Sequence, residues 1–309
     1  MTATAEFEHE AFFYSDARSF TDGTANFVRA GLARDEPVLV VVNEAKIAQL
    51  RYALGPDDAD RVQFADMATV GANPGRIIDA WRRFVDDHGR GTEPVRGIGE
   101  PISAERSTAE LIECHAHESL LNVAFRDAHA FKLMCPYDTN ALSATVIEEA
   151  AVNHPILVDA HGRRPSDDYR LAYERYKTEP LPEPSGNRAV IRFDIESLHA
   201  VRERVGQCAR AAGSAQSRVD EIVLAVSEVA TNSVRHGGGA GVAEIWTTDA
   251  GLVVDVCDHG RMRDPLAGRL RPPPAAEGGF GLWMANKLCD LVQIRTTATG
   301  TVVRLHVSR

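Results

Sequence analysis

Three short stretches in the C-terminal third carry residue types that could do chemistry together. In the first, residues 217–239, Glu228, Asn232 and His236 recur at four-residue spacing and so share one face of a helix. An Asn inside a helix is a mediocre helix former that prefers caps, which a merely solvated face explains poorly. In the second, a β-type run from Leu252 to Cys257 leads into Asp258-His259-Gly260. A carboxylate at a strand end can accept a hydrogen bond from an amine, and the glycine lets the backbone pass close to a flat ligand. In the third, Gly278-Gly279-Phe280-Gly281 runs into an apolar helix from Leu282 to Leu288. Glycines ahead of a helix N-terminus expose N–H groups to an anion, and the helix dipole favours negative charge there. Singly, each stretch has a plainer account as a solvated face, an Asp-x-Gly turn or a Gly-rich turn. In this order, separated by strand-like segments, they describe three walls of one site.

The elements that must hold these walls are legible nearby. The first wall is a helix over 218–236, with Ser217 as N-cap, Asp220 three residues on and Gly237 to Gly239 as the stop. Val219, Ile222, Val223, Val226, Val229 and Ala230 form its apolar side, and Glu221 belongs to the solvated one. A strand from Ala189 to Phe193 and a helix from Ser197 to Ala212 precede it, and a strand from Ala243 to Thr247 follows. The segments Leu291 to Thr296 and Thr301 to Val307 read as an antiparallel hairpin with a longer loop around Gly300.

The set E-x3-N-x3-H, D-x-G and G-x-G-L resembles the N, G1 and G2 boxes of the GHKL (Bergerat-fold) ATPases, and most of all their anti-sigma-factor serine kinases. The resemblance covers about residues 188–309. It implies an α/β sandwich with a mixed, mainly antiparallel sheet under three helices. It also implies roles: Glu228 as general base, Asn232 as ligand of Mg²⁺, Asp258 holding the adenine amine of ATP with Gly260 beside the base, and Gly279, Gly281 and Leu282 at the phosphates. His236 matches the pattern without a settled role. Residue chemistry agrees, since phosphoryl transfer needs positioning and charge neutralisation, an Asn oxygen suits Mg²⁺, and a Glu one turn away can take a proton from an attacking hydroxyl. Two features depart from the pattern. Met262 stands where many members have a second G1 glycine, and Pro272, Pro273 and Pro274 stiffen the lid between the boxes.

The first half alternates strand-like and helix-like segments. Strands are expected at 37–42, 61–65, 95–98 and 131–135, and helices at 20–33, 74–88, 107–126 and 141–153, with Ser107 and Glu110 as a capping box. Such alternation implies a mainly parallel sheet with helices on both faces. The chain contains no G-x4-G-K-[ST] and so lacks a phosphate-cradling P-loop. Phe13-Tyr14-Ser15-Asp16, Gly97-Ile98-Gly99-Glu100-Pro101, His117-Glu118-Ser119-Leu120-Leu121-Asn122, Cys135-Pro136-Tyr137-Asp138 and Asn153-His154-Pro155 resemble the MEDS sensory domain of bacterial regulators. That resemblance implies a RecA-like core that senses a small-molecule ligand without hydrolysing nucleotide.

Glu100, Cys135, Tyr137 and Asp138 fall at expected strand ends, where parallel sheets bind ligands. His117, Glu118 and Asn122 lie on the long helix, the last two on one face. These seven are the candidate sensory site, with a buried hydrogen-bond network as the plainer reading of each. Cys114, His115 and His117 point in different directions around the helix and make no metal site by themselves.

The fold class expected is therefore two-domain α/β. A RecA-like, mainly parallel N-terminal sheet with flanking helices spans 6–176, a proline-rich linker 177–187, and a Bergerat-fold sandwich 188–309. Of 309 residues, 44% are hydrophobic and 25% charged, with a net charge of −10, which disfavours nucleic acid as a direct partner and permits a basic protein partner. No apolar run approaches a membrane span, the N-terminus has no signal-peptide pattern, and five scattered cysteines fit a reducing cytoplasm. The expectation is a cytoplasmic serine/threonine kinase under a sensory domain. Its partners would be a sigma factor and an anti-sigma antagonist protein, and a homodimer is compatible with that reading. The alternatives are an ATP/ADP-binding switch without transfer and, at greater distance, a sensor histidine kinase.

Overall fold

The computed structural model describes residues 7–89, 94–127, 131–184, 186–273, 276 and 278–308. Pro274 of the expected lid, Glu277, Ser185 of the expected linker, the first six residues and Arg309 lie outside the described residues. The chain divides into two compact units, Met1–Tyr173 and Glu174–Arg309.

The first unit runs β1 (Glu8–Tyr14), α1 (Ala17–Leu32), β2 (Val38–Val42), α2 (Glu44–Leu54), α3 (Pro56–Ala59), β3 (Val62–Asp66), α4 (Met67–Val70), α5 (Ile77–His88), β4 (Val95–Gly99), α6 (Thr108–Ala124), β5 (Phe131–Asp138), α7 (Ala144–Asn153), β6 (Ile156–Asp159) and β7 (Gly162–Pro165). Its sheet has the order β3-β2-β4-β5-β1-β6-β7. Every pairing is parallel except the β6–β7 hairpin. Side chains alternate across a strand, and the two faces fill differently. Phe12, Val40, Ile98 and Met134 pack with Phe20 and Val28 of α1 and Leu50 of α2. On the other face, Gly97 and Gly99 of β4 admit the Trp81 ring of α5 so closely that a Cβ on either would lie 2.8 Å from it. Helices therefore cover both faces.

The capping box expected at Ser107 is present, with Glu110 N–H bonded to Ser107 Oγ at 3.3 Å and the Glu110 carboxylate accepting Ser107 N–H at 2.9 Å. Strand β5 continues three residues past its expected end. Pro136 is tolerated there because β4 pairs with β5 only as far as Met134. Strand β1 and the β6–β7 hairpin were not expected. The first opens on the polar Glu8-His9-Glu10, which leaves only a short apolar run behind it, and β7 is exposed throughout.

Helix α8 (Tyr173–Thr178) carries the chain across the division, so the first two residues of the expected linker are helical. The second unit continues with β8 (Ala189–Asp194), α9 (Leu198–Ala211), α10 (Gln216–His236), β9 (Ala240–Thr247), β10 (Gly251–Asp258), α11 (Phe280–Leu288), β11 (Leu291–Thr297) and β12 (Gly300–Ser308). The sheet order is β11-β12-β10-β9-β8, and every pairing is antiparallel rather than mixed. Val219, Ile222, Val226, Val229 and Ala230 of α10 are buried with Val254, Val256 and Leu305 of the sheet, as the apolar stripe predicts. Each of the Val, Ile and Leu side chains contributes about 1.5–3 kcal/mol on burial.

Two local expectations fail. Helix α10 starts at Gln216 after Ala215, with no side-chain cap, so Ser217 is not its N-cap. The last hairpin turns tightly, with Thr297 paired to Gly300, rather than through a longer loop.

Candidate functional site

The three walls meet. A cavity of about 610 Å³ is lined by Asn232 and His236 of α10, Asp258 and Gly260 at the end of β10, and Gly279 and Leu282 at the start of α11. Glu228 and Gly281 lie beside it. The Cβ that Gly281 lacks would sit 2.9 Å from Asn232 Nδ2 and 3.1 Å from Glu228 Oε2, so α11 approaches the polar face of α10 at the one residue able to allow it.

The strand end is built to present Asp258. Gly237, just past α10, leaves room for that side chain: a Cβ there would fall 2.3 Å from Asp258 Cγ. The His259 N–H donates to Gly237 O at 3.1 Å, docking the end of α10 onto the end of β10. Asp258 Oδ1 accepts the Gly260 N–H at 2.8 Å, so one carboxylate oxygen is committed to the turn while the residue also lines the cavity. Gly260 is hemmed in, its missing Cβ falling 2.7 Å from His236 O. Its carbonyl accepts the Thr301 hydroxyl at 2.9 Å.

Thr301 also lines the cavity and was missed in the sequence. Only the register, which sets it opposite Asp258, brings it there. Met262 lines the cavity too, as do Arg261, Arg263 and Arg271 of the lid. The lid is tied down midway, because buried Asn286 of α11 donates to Gly268 O at 3.0 Å. Gly279 caps α11 in the left-handed region with φ of 90° and no side-chain bond, leaving that N-terminus to its backbone N–H groups.

The seven candidates of the first unit do not form one crevice. Glu100 and Asp138 line a cavity of about 590 Å³ at the carboxyl ends of β4 and β5. There Tyr14 and Lys46, both missed in the sequence, hold Glu100: the Tyr14 hydroxyl donates to it at 2.7 Å and Lys46 Nζ reaches both carboxylate oxygens at 2.6 Å. Burial pushes the Glu100 carboxyl up, with Lys46 pulling against it, and burial with Glu100 beside it raises the Tyr14 phenol. Asp138 Oδ1 also caps the following turn through Asn140 N at 2.9 Å.

Glu118 and the half-buried Asn122, both on α6, meet Cys135 instead in a group with His9 of β1 and His154 at the end of α7. Cys135 sits within β5 rather than at its end. Tyr137 and His117 are buried nearby, the Tyr137 ring edge-on to His154 at 5.6 Å. Burial, with His154 beside it, lowers the His9 imidazole to about 4. Burial alone would raise Glu118, but the His154 and His9 imidazoles beside it outweigh that and hold the carboxyl well below its usual range. Burial and Glu118 raise the Cys135 thiol. Cys114 lies apart from this group, donating to Pro101 O at 3.4 Å.

Residues 8–155 match the family model described as MEDS, the MEthanogen/methylotroph, DcmR Sensory domain. Residues 191–307 match the model described as a histidine kinase-like ATPase domain. A curated relative, the serine-protein kinase RsbW of Halalkalibacterium halodurans, is 30% identical over 112 residues, covering 32% of this chain and 69% of that protein. Among solved structures, the RsbU and RsbW domains of Rv1364c from Mycobacterium tuberculosis align at 24% identity with a TM-score of 0.31. That alignment covers 40% of this chain and 33% of the other, so the chain spans about a third of that protein's length. No helix among the described residues is long and apolar enough to cross a membrane.

Proposed function

The chain belongs, through its C-terminal unit, to the family of the serine-protein kinase RsbW, and it carries a MEDS domain ahead of that unit; on this premise we propose that it is an anti-sigma-factor type, ATP-dependent serine/threonine kinase under sensory control. The observation that carries the reading is the convergence of the α10 polar face, the Asp258–Gly260 turn and the N-terminus of α11 on one cavity. The residues fit ATP with Mg²⁺. Gly260 keeps a flat wall where a Cβ would clash, the uncapped N-terminus of α11 suits phosphate, and Asn232 offers a hard oxygen ligand.

In this reading the Asp258 oxygen not used by Gly260 N–H accepts the adenine amine. Gly279, Gly281 and Leu282 bracket the phosphates, and His236 lies at the cavity rim. Bound Mg²⁺ would supply neutralisation of phosphate charge. Glu228 takes the proton of the substrate hydroxyl as that oxygen bonds to the γ-phosphorus and the bond from the γ-phosphorus to the leaving oxygen of ADP breaks. The hydroxyl belongs to an antagonist protein, and the same unit sequesters a sigma factor in a reducing cytoplasm. The MEDS domain, read as a RecA-like core, sets the activity by binding a small ligand.

A second reading, a nucleotide-gated switch without transfer, is favoured by Met262 in the cavity wall and by the pinning of the lid at Gly268. Two variants separate the readings. Glu228→Gln should keep nucleotide and Mg²⁺ affinity while transfer from labelled ATP falls ~10²–10⁴-fold. Asn232→Ala should weaken both together. Parent-like transfer by Glu228→Gln removes the base assignment. Nucleotide binding by the parent, with no transfer to any candidate antagonist, favours the switch.

A further inference from the structure

The buried group under α6 has a donor set that hydrogen bonding does not satisfy. His9, Glu118, Cys135 and His154 are each no more than 2% exposed, and one ligand atom from each lies within 4.8 Å of all the others. The nearer separations are 3.1 Å from His9 Nε2 to Glu118 Oε2, 3.3 Å from His154 Nε2 to the same oxygen, 3.3 Å from Cys135 Sγ to it, and 3.4 Å from Cys135 Sγ to His9 Nε2.

Proton positions follow from the outer contacts. Asn122 Nδ2 donates to Asn153 O at 2.8 Å, which turns Asn122 Oδ1 toward His9 Nδ1 at 3.1 Å. His9 Nδ1 must then be the donor. His154 Nδ1 lies 2.8 Å from Ala150 O and donates likewise. Each imidazole, donating through Nδ1, therefore turns its Nε2 toward Glu118 Oε2, itself an acceptor. The Cys135 S–H proton already points to that oxygen, and His154 Nε2 makes no hydrogen bond at all. Four metal-binding atoms thus face one another in one buried pocket of side chains.

We propose that His9, Glu118, Cys135 and His154 form a closed four-ligand site for a borderline-soft divalent cation of the zinc class. Two imidazole nitrogens, a thiolate and a carboxylate are ligands for zinc rather than for Mg²⁺ or Ca²⁺. Tetrahedral zinc bonds of about 2.0–2.3 Å place neighbouring donors roughly 3.3–3.6 Å apart, within a few tenths of the four nearer separations, and the whole set lies within 4.8 Å. Binding breaks the Cys135 S–H bond, forms the sulfur–metal bond and releases that proton to solvent. The divalent charge is then balanced by one thiolate and one carboxylate, so the buried site is neutral. Asn122 and the Ala150 carbonyl act as positioning groups, holding each imidazole through its Nδ1–H. The cation ties β1, α6, β5 and the end of α7 together. The site is independent of the kinase reading, since all its ligands lie within the MEDS match.

The test uses the full chain, stripped with a chelator and then titrated with Zn²⁺ or with Co²⁺ as a chromophoric probe. Expected are one equivalent of tightly bound metal, one proton released, a thiolate-to-cobalt charge-transfer band and the intense visible absorption of tetrahedral Co²⁺. Cys135→Ser should abolish the charge-transfer band, and Cys114→Ser should keep it. Asn122→Ala should weaken Zn²⁺ binding about 10–100-fold. A stripped, folded chain that takes up no metal overturns the proposal, as does a charge-transfer band that survives Cys135→Ser. Should Cys135→Ser unfold, His154→Gln asks the same question through the visible Co²⁺ spectrum, and an unchanged spectrum with unchanged affinity overturns the site.

Discussion

Gly281→Ala tests whether α10 and α11 form one working surface. The added methyl removes no functional group. It would stand 2.9 Å from Asn232 Nδ2, 3.1 Å from Glu228 Oε2 and 3.4 Å from Glu228 Cβ. Ordinary contact is near 3.5 Å, so the two side chains must yield by roughly 0.5 Å. A misplacement of about 1 Å at a reacting centre can cost ~10²-fold, so half of that gives about tenfold in transfer, or about 1.4 kcal/mol. Stability should change little. Alanine gains up to about 1 kcal/mol of helix propensity over glycine, against an overpacking cost of about 1–3 kcal/mol that two movable side chains reduce. The assay is transfer rate and nucleotide affinity beside the melting temperature. Gly278→Ala is the control, because nothing lies within 4 Å of its missing Cβ. Parent-like transfer and affinity in Gly281→Ala would show that Glu228 and Asn232 do not act where α11 meets them.

Further outcomes follow from particular contacts. Asp258→Asn keeps the Oδ1 that accepts the Gly260 N–H but brings a donor toward the adenine amine, so calorimetry should show ATP binding weaker by about 1–3 kcal/mol; unchanged affinity would leave Asp258 a turn residue only. Lys46→Met should cost about 3 kcal/mol in chemical denaturation by stranding the buried Glu100 carboxylate, while Glu100→Gln, which leaves the partly exposed amine, should cost less; the reverse order would refute the pair's asymmetry. Burial, with Asp255, Glu244 and Asp258 beside it, pushes the Cys257 thiol up to about 12. At pH 8 only about one molecule in 10⁴ carries its thiolate, so alkylation at Cys257 should be slow and rise about tenfold per pH unit. Rapid labelling of Cys257 at pH 8, read by mass spectrometry, would contradict this.

The C-terminal cavity was largely legible because its signals are local. A four-residue spacing sets Glu228, Asn232 and His236 on one face whatever surrounds them, and Gly260, Gly279 and Gly281 mark places where a Cβ would clash or strain. Thr301 was not legible, since it reaches the cavity through sheet register alone. The buried cluster of the first unit was half legible. Glu118 and Asn122 share a helix face, but their partner His9 is 109 residues from Glu118 on a strand whose polar start conceals it. His154 stood in a recognisable Asn-His-Pro triplet without a role, because nothing in the sequence aims its Nε2 at Glu118. Glu100 was singled out for its strand end, whereas Tyr14 and Lys46, which hold it, come from two other elements. The polar residues of a parallel sheet are sorted by face and by strand order, and strand order is not written locally.

The close fit of Trp81 against Gly97 and Gly99 restricts how this chain can change over time. Adding a methyl at either glycine drives it into the indole at 2.8 Å. Shrinking the indole first leaves a buried void, typically worth about 3–5 kcal/mol for Trp→Ala. The substitutions are thus strongly coupled, and a drift to a smaller ring with a fuller strand must cross a destabilised intermediate whichever step comes first. With natural stability commonly only about 5–15 kcal/mol, such an intermediate is readily purged. The three residues therefore behave as one heritable character, to be kept or replaced as a set.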